Sequence, residues 1–262
     1  MTVLALISPG GSPGVTTAAL GLALAWPRDV VVAECDPAGG SALAGMWRGQ
    51  AAGNDGGLLR FALAAQRDAQ AAGEAIRTHA MPLEDGLATR FVLPAPPGPL
   101  AARQLAAAWP AIATAFTAAT ADVIADLGRF DADPALAPVL AGAGSVLMVC
   151  RPLIRQAVAA KPRLEALAVI RPGDPPAELV LAGTGPYGPD GPKAFREALE
   201  VPVRTSLPWD PATAAVLSDG ALPRRGFGRS PLMRATAALV TGLARGPEPQ
   251  PVDGAPVEVM GR

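Results

Sequence analysis

Segments typical of buried strands alternate with segments typical of helices along almost the whole chain, and no other feature of the sequence limits the fold as strongly. Such alternation predicts a mainly parallel sheet covered by helices. The predicted strands are Val3–Ser8, Asp29–Glu34, Arg90–Leu93, Asp122–Asp126, Ser145–Cys150, Glu178–Leu181 and Pro202–Leu207. The predicted helices are Thr16–Ala25, Leu58–Gln66, Ala69–Ala80, Leu100–Ala118, Leu153–Ala168, Pro192–Leu199, Pro211–Leu217 and Pro231–Ala244. We expect a single three-layer α/β domain over residues 1–245.

The composition is that of a globular chain, since half of the 262 residues are apolar and 17% are charged. The formal net charge of −1 gives no general basic field for nucleic acid. Cys35 and Cys150 lie in apolar strand-like runs, which favours a reducing cytoplasm over a disulfide framework. The sequence predicts neither a secretory leader nor a membrane span. Residues 246–262 are rich in proline and are expected to be disordered.

A glycine-rich loop joins the first predicted strand to the first predicted helix. Loops of this kind bind phosphate, because backbone N–H groups and a helix N-terminus converge on anionic oxygens. Gly11 and Gly14 allow that close approach, and Thr16 stands where a Mg²⁺-binding hydroxyl belongs. The lysine that normally precedes the threonine pair is replaced by Val15. The alternative is a tight turn that binds nothing. The loop reads Ser8-Pro9-Gly10-Gly11-Ser12-Pro13-Gly14-Val15-Thr16-Thr17.

Two carboxylates follow apolar strands farther along the chain. Asp36 begins the run Asp-Pro-Ala-Gly-Gly after the second strand, on the side of a parallel sheet where ligands bind. Asp126 ends the apolar run that starts at Asp122, as in a Walker B strand, whose Asp holds the Mg²⁺ shell. Asp126 alone could equally be a loop carboxylate or a helix cap. The order of the three strand ends argues against coincidence.

In this order the motifs resemble the ParA/MinD family of deviant-Walker ATPases, and Phe91–Pro96 resembles its CpaE/TadZ pilus-localisation branch. The family's loop is Lys-Gly-Gly-x-Gly-Lys-Thr-Thr, followed by Asp-x-Asp-Pro-Gln-Gly, which is matched here by Glu34–Gly39. The family's Walker B strand ends in Asp-Thr-Pro-Pro, where this chain has Asp126-Leu127-Gly128-Arg129. The resemblance covers about residues 1–244.

The resemblance implies a role for each matching residue. Thr16 and Asp126 would hold Mg²⁺, and Asp36 would position the attacking water. It also implies ATP as ligand, a homodimer, and protein partners from a secretion, pilus or partition system. The implied nucleotide-binding residues are Gly11, Ser12, Pro13, Gly14, Val15, Thr16 and Thr17 in the loop, and Pro208, Trp209 and Asp210 near the base.

Both family lysines are missing, and this departure divides the functional hypotheses. Val15 replaces the lysine that contacts the β- and γ-phosphates, and Gly10 replaces the one that reaches the partner's nucleotide. Each charge-assisted hydrogen bond contributes roughly 1.5–3 kcal/mol, so ATP binding would weaken by about 10²- to 10⁴-fold. Arg129 or Arg151 could substitute; the alternative is that both are ordinary surface arginines.

Three functions therefore remain open: a weakly ATP-binding switch that positions a larger assembly, a pseudo-ATPase scaffold, and a ligase of the cobyrinate or dethiobiotin type. Arg224, Arg225 and Arg229 could bind DNA nonspecifically, although a solvated loop explains them better. The prolines after residue 246 exclude an amphipathic membrane anchor there. His79, the single histidine, is expected on a surface helix or loop without a catalytic role.

Overall fold

The computed structural model describes residues 2–11, 14–48, 57–83, 89–96, 98–131 and 134–245. Within these residues eight strands form one sheet in the order β3-β4-β2-β5-β1-β6-β7-β8. All neighbouring strands are parallel except the edge pair β3–β4. The strands are β1 Val3–Ser8, β2 Val30–Glu34, β3 Met81–Pro82, β4 Arg90–Leu93, β5 Asp122–Arg129, β6 Ser145–Cys150, β7 Glu178–Ala182 and β8 Val203–Leu207.

Helices cover both faces of this sheet. The α-helices are α1 Val15–Ala25, α2 Ala42–Gly45, α3 Gly57–Arg67, α4 Ala69–Glu74, α5 Pro99–Ala102, α6 Trp109–Thr117, α7 Ala137–Gly142, α8 Ile154–Ile170, α9 Gly191–Leu199, α10 Pro211–Ser218 and α11 Pro231–Arg245. Short 3₁₀ turns lie between several of them, including Ile76–His79 and Arg103–Leu105. No helix of the described part of the chain is long and apolar enough to cross a bilayer.

The core consists of two apolar layers, one on each face of the sheet. Alternate residues of a strand point to opposite faces, and β5 shows this directly. Val123, Ala125 and Leu127 belong to the layer that contains Phe61 of α3. Ile124 belongs to the other layer, with α1 and α11. Because every central strand is buried on both faces, its sequence is a continuous apolar run.

A buried carboxylate stabilises the amino end of the sheet. Asp122 accepts hydrogen bonds from the backbone N–H of Thr2 (2.8 Å), from Trp26 Nε1 (2.9 Å) and from Arg28 Nε and Nη2 (2.9 and 2.7 Å). Burial raises the pKa of Asp122, but these hydrogen bonds outweigh it and leave the pKa below its usual range. Asp122 therefore joins β5 to the residues around β1 and α1.

The long helix predicted over Leu100–Ala118 is wrong, because the structure divides it into α5, a 3₁₀ turn and α6. Pro110 explains the division: it has no N–H to donate, and its ring excludes a helical carbonyl four residues earlier. It is tolerated in the first turn of α6 instead. The helix predicted over Ala69–Ala80 likewise ends at Glu74 and continues as a 3₁₀ turn.

The remaining differences are short elements and one strand end. The sequence did not indicate β3, α2 or α7, which are two to six residues long. The predicted strand Asp122–Asp126 continues to Arg129, because Ser8 pairs with Arg129 beyond an irregularity in the ladder. Asp126 therefore lies within β5 and not at its end. Residues 246–262 lie outside the described residues, so the disorder expected there stays a prediction.

Candidate functional site

A cleft of about 910 Å³ lies at the carboxyl ends of β1, β2 and β5. Residues from the glycine loop, from the turn after β2 and from the end of β5 line it. Thr16, Asp36 and Arg129 are among them, so the structure brings the three predicted strand ends to one place. This is the edge of a parallel sheet at which ligands bind.

The glycine loop joins β1, which ends at Ser8, to α1, which begins at Val15. Gly14, at the N-cap of α1, has φ 100° and ψ 35°, a left-handed conformation that strains any residue with a Cβ. The Ser8 hydroxyl donates to the carbonyls of Gly10 (3.2 Å) and Gly128 (3.3 Å), which fastens the start of the loop to β5. Ser12 and Pro13, both predicted to bind nucleotide, lie outside the described residues.

The side chain of Val15 belongs to the core. It is 6% exposed and lies in the same apolar layer as Leu4 and Leu6. An apolar side chain at this position packs inward, so it supplies no charge to the loop. Thr17, two residues later, borders both the cleft and a neighbouring pocket.

Thr16 and Asp126 are in direct contact. The Thr16 hydroxyl donates to Asp126 Oδ2 at 2.6 Å, and the backbone N–H of Gly128 donates to Oδ1 at 3.0 Å. Asp126 is 1% exposed. The pKa of Asp126 is raised to about 7, because burial and the charges of Glu34 and Asp36 outweigh the two hydrogen bonds, which lower it. Among the described residues, the donors to this carboxylate beside the glycine loop are both neutral.

Asp36 lies against the end of β5. The backbone N–H of Ala38 donates to Asp36 Oδ1 at 2.8 Å. Gly128 has φ 59°, and a Cβ on it would lie 1.8 Å from Asp36 Oδ2, so only glycine leaves room for this carboxylate. The pKa of Asp36 is raised, because burial outweighs the Ala38 hydrogen bond and the charge of Arg129, which both lower it.

Glu34 is a structural residue that the sequence did not reveal. Its carboxylate accepts from the backbone N–H groups of Ser41 and Ala42 (2.8 Å each) and of Ala95 (3.2 Å). Burial raises its pKa in spite of these three hydrogen bonds. Glu34 therefore fixes the turn after β2 and the segment after β4. In the sequence, Glu34 and Asp126 look alike, because each is an acidic residue that follows an apolar strand-like run. The sequence therefore does not distinguish the structural role of Glu34 from the role predicted for Asp126.

A second, mainly apolar pocket of about 250 Å³ adjoins the cleft, and Gly14, Thr17 and Asp219 border both. Pro208 and Trp209 line this pocket, and Trp209 is 65% exposed. Asp210 also lines it, but its carboxylate caps α10 by accepting from the Thr213 N–H (3.2 Å) and hydroxyl (2.8 Å). The predicted base-contacting segment thus lies beside the glycine loop, with Asp210 in a structural role.

The two arginines considered as lysine substitutes lie in different places. The Arg151 guanidinium is 4.7 Å from the centre of the Trp209 ring, a cation–π contact at the apolar pocket. Arg129 lines the cleft and donates through Nε to Asp131 Oδ2 at 2.9 Å. Arg103, which the sequence did not single out, lines the same cleft from the 3₁₀ turn after α5.

The other residues singled out lie outside the cleft. Arg224, Arg225 and Arg229 are exposed in the segment before α11. His79 ends a 3₁₀ turn and meets the Phe61 ring edge-on, with 5.8 Å between the ring centres. Burial, with the charge of Arg60, lowers the pKa of His79. Both cysteines are buried, and burial raises their pKa.

The cleft fits a nucleotide with Mg²⁺ in its size and in most of its donors. Thr16 and Asp126 offer the hydroxyl and carboxylate oxygens that Mg²⁺ takes together with substrate phosphates. The described residues contain no group of three or more His, Cys, Asp or Glu side chains able to hold a metal ion alone. Phosphate oxygens would therefore have to complete the ion's shell. Gly11, Gly14 and Thr16 line the cleft, and the missing part is the lysine charge.

Comparison with known proteins identifies the fold. No protein-family model matches the sequence, and no curated protein matches it either. Among solved structures, a ParA family ATPase from Chlorobium tepidum has a TM-score of 0.72 and 15% identity, over 92% of this chain and 98% of that one. MinD in the MinC:MinD cell division complex of Aquifex aeolicus has a TM-score of 0.68 and 14% identity, over 95% and 98%. The septum site-determining protein MinD from Pyrococcus horikoshii, complexed with Mg-ADP, has a TM-score of 0.66 and 14% identity, over 92% and 95%. The chain therefore has the single-domain α/β fold of the ParA/MinD P-loop ATPases.

Proposed function

We propose that this protein is a nucleotide-responsive switch that binds ATP with Mg²⁺, dimerises, and positions a larger assembly such as a secretion or pilus apparatus or a chromosome. The contact between Thr16 and Asp126 beneath the glycine loop carries the proposal. A hydroxyl on the first turn of a helix and a carboxylate on the adjacent strand form the metal-holding pair of P-loop proteins. A solved neighbour of the same fold is a complex with Mg-ADP, which supports the same ligand class.

In this proposal each part of the cleft has a separate task. The backbone of Gly11 and Gly14 binds phosphate oxygens, and Thr16 with Asp126 holds the metal ion. Bound Mg²⁺ supplies positive charge to the phosphates. Asp36, which lies against Gly128, would orient the attacking water molecule. The apolar pocket beside Trp209 takes the base.

Isothermal titration calorimetry with ATP and Mg²⁺ tests the binding step. We expect a dissociation constant below about 100 μM, weakened about tenfold or more in Thr16→Ala and Asp126→Asn. Thr114→Ala is the matched control, because that hydroxyl donates only locally, to the carbonyl of Pro110 at 3.1 Å. Circular dichroism checks that each variant is folded. No heat of binding at about 1 mM ATP would refute the switch.

The second candidate is a pseudo-ATPase scaffold that keeps the fold and acts through protein contacts alone. The burial of Val15 favours it, because the loop supplies no lysine charge to a triphosphate. The two candidates differ in the effect of nucleotide on assembly. In analytical ultracentrifugation, the sedimentation coefficient of a switch should change when ATP and Mg²⁺ are added. The sedimentation coefficient of a scaffold should be the same with and without them.

A further inference from the structure

Arg129 lies beside the glycine loop although it is distant in sequence. It is the last residue of β5, and its backbone pairs with Ser8, the last residue of β1. The loop begins directly after Ser8, so Arg129 stands alongside its first residues. The side chain is 59% exposed and lines the cleft together with Gly11 and Thr16.

Asp131, the ion-pair partner of Arg129, is also paired with a second arginine, Arg163. Asp131 accepts from Arg129 Nε at 2.9 Å through one oxygen and from Arg163 Nη2 at 2.9 Å through the other. Arg163 is itself held by the carbonyls of Phe130 and Ala159. An exposed ion pair such as Arg129–Asp131 is weak, and Asp131 remains paired with Arg163 when Arg129 turns away.

We propose that Arg129 takes the place of the missing loop lysine, exchanging its bond to Asp131 for the terminal phosphate oxygens of a nucleoside triphosphate in the cleft. A guanidinium presents a planar fork of donors that matches phosphate oxygens. Arg129 and Asp36 line the same cleft, and the charge of Arg129 partly offsets the rise that burial causes in the pKa of Asp36. This inference rests on the proposed function, since it assigns a phosphate-binding residue within the same site.

The other arginines near the site are less suitable. The Arg151 guanidinium is engaged with the Trp209 ring at the apolar pocket. Arg103 lines the cleft, but it comes from a 3₁₀ turn that is not paired with β1. The backbone pairing with Ser8 distinguishes Arg129 from both.

Calorimetry with ATP and Mg²⁺, and separately with ADP and Mg²⁺, tests the assignment. Arg129→Ala should weaken ATP binding about 10- to 100-fold and ADP binding much less, and Arg129→Lys should recover part of the loss. Arg77→Ala is the matched control, because Arg77 forms a similarly exposed pair with Asp29 (2.6 Å) before the opposite, amino end of β2. It should leave both affinities unchanged.

Three results with the arginine variants would overturn the inference alone. The first is unchanged ATP binding in Arg129→Ala, which leaves the proposed function intact. The second is an equal loss of ATP and ADP affinity, which indicates a structural role. The third is a loss in Arg103→Ala as large as that in Arg129→Ala, which indicates a diffuse field. If the wild-type protein binds neither nucleotide, both the inference and the proposed function fail.

Asp131→Asn adds an independent measurement. The substitution removes an anion from the cleft and releases Arg129, so it should tighten ATP binding. A weaker ATP affinity would contradict the exchange of Asp131 for phosphate.

Discussion

Replacement of Gly128 by alanine should destabilise the fold and displace Asp36. The new Cβ would lie 1.8 Å from Asp36 Oδ2 and 2.8 Å from Asp36 Cβ, so a rotation of the carboxyl group alone does not relieve the collision. The left-handed φ of 59° costs about 1–2 kcal/mol for a residue with a Cβ. Loss of the hydrogen bond from Ala38 to Asp36 adds about 1 kcal/mol. We expect the free energy of unfolding to fall by about 2–4 kcal/mol.

Urea unfolding followed by circular dichroism measures this change, and the chain contains a matched control. Gly188 has φ 54°, and a Cβ built on it meets nothing within 4 Å. Gly188→Ala therefore reports the backbone strain alone, and the excess loss in Gly128→Ala reports the collision with Asp36. Equal losses in the two variants would refute the argument that Gly128 is required by the position of Asp36.

Three further predictions concern single side chains. Because the pKa of Asp126 is about 7, its carboxylate ionises between about pH 6 and pH 8, and Mg²⁺-dependent ATP binding should strengthen over that range. In Asp126→Asn, the affinity measured by calorimetry should not depend on pH in this way. Asp122→Asn should lower the free energy of unfolding by about 2–3 kcal/mol at pH 7. Because the folded pKa of Asp122 lies below its unfolded value, this contribution is present at neutral pH and lost as pH falls through the folded pKa, so the difference in urea midpoint should shrink in acid. Trp209→Ala should weaken ATP binding about 10- to 100-fold by removing a stacking surface while leaving inorganic triphosphate unaffected, and equal losses for both ligands would contradict a base pocket.

The sequence was sufficient for seven of the eight strands and for the meeting of three strand ends at one edge of the sheet. Buried parallel strands are continuous apolar runs, so β1, β2 and β6 could be read directly. Strand ends of a parallel sheet meet at one edge, which is why a loop after β1 and carboxylates after β2 and in β5 predicted a common cleft. The apolar periodicity of residues 100–118 predicted one helix and missed the break before Pro110. Proline has no backbone N–H to donate and disrupts a helix interior, so Pro110 itself indicated that break.

The internal contacts of the cleft could not be read from the sequence, because they join side chains to distant backbone. Nothing near Glu34 in sequence shows that its carboxylate accepts from Ala95. Likewise, the closeness of Asp36 and Gly128 depends on the neighbouring positions of β2 and β5 in the sheet. The pairing of Asp131 with Arg163 depends on the position of α8. The residue types were visible, but only the three-dimensional arrangement assigns them partners.

The two buried aspartates of β5 show how one strand serves both stability and ligand binding. Asp122 and Asp126 are each 1% exposed. Arg28 and two neutral donors, Trp26 Nε1 and the Thr2 N–H, make the pKa of Asp122 low, while the pKa of Asp126 is about 7. Glu34 lies opposite Asp126 in the strand register, and Asp36 follows two residues later, so three carboxylates are close together at one edge. Such a group is costly for a fold unless a cation neutralises it, because burial and mutual repulsion both oppose ionisation. The contact of this carboxylate with the Thr16 hydroxyl supports the metal-dependent phosphate site proposed above.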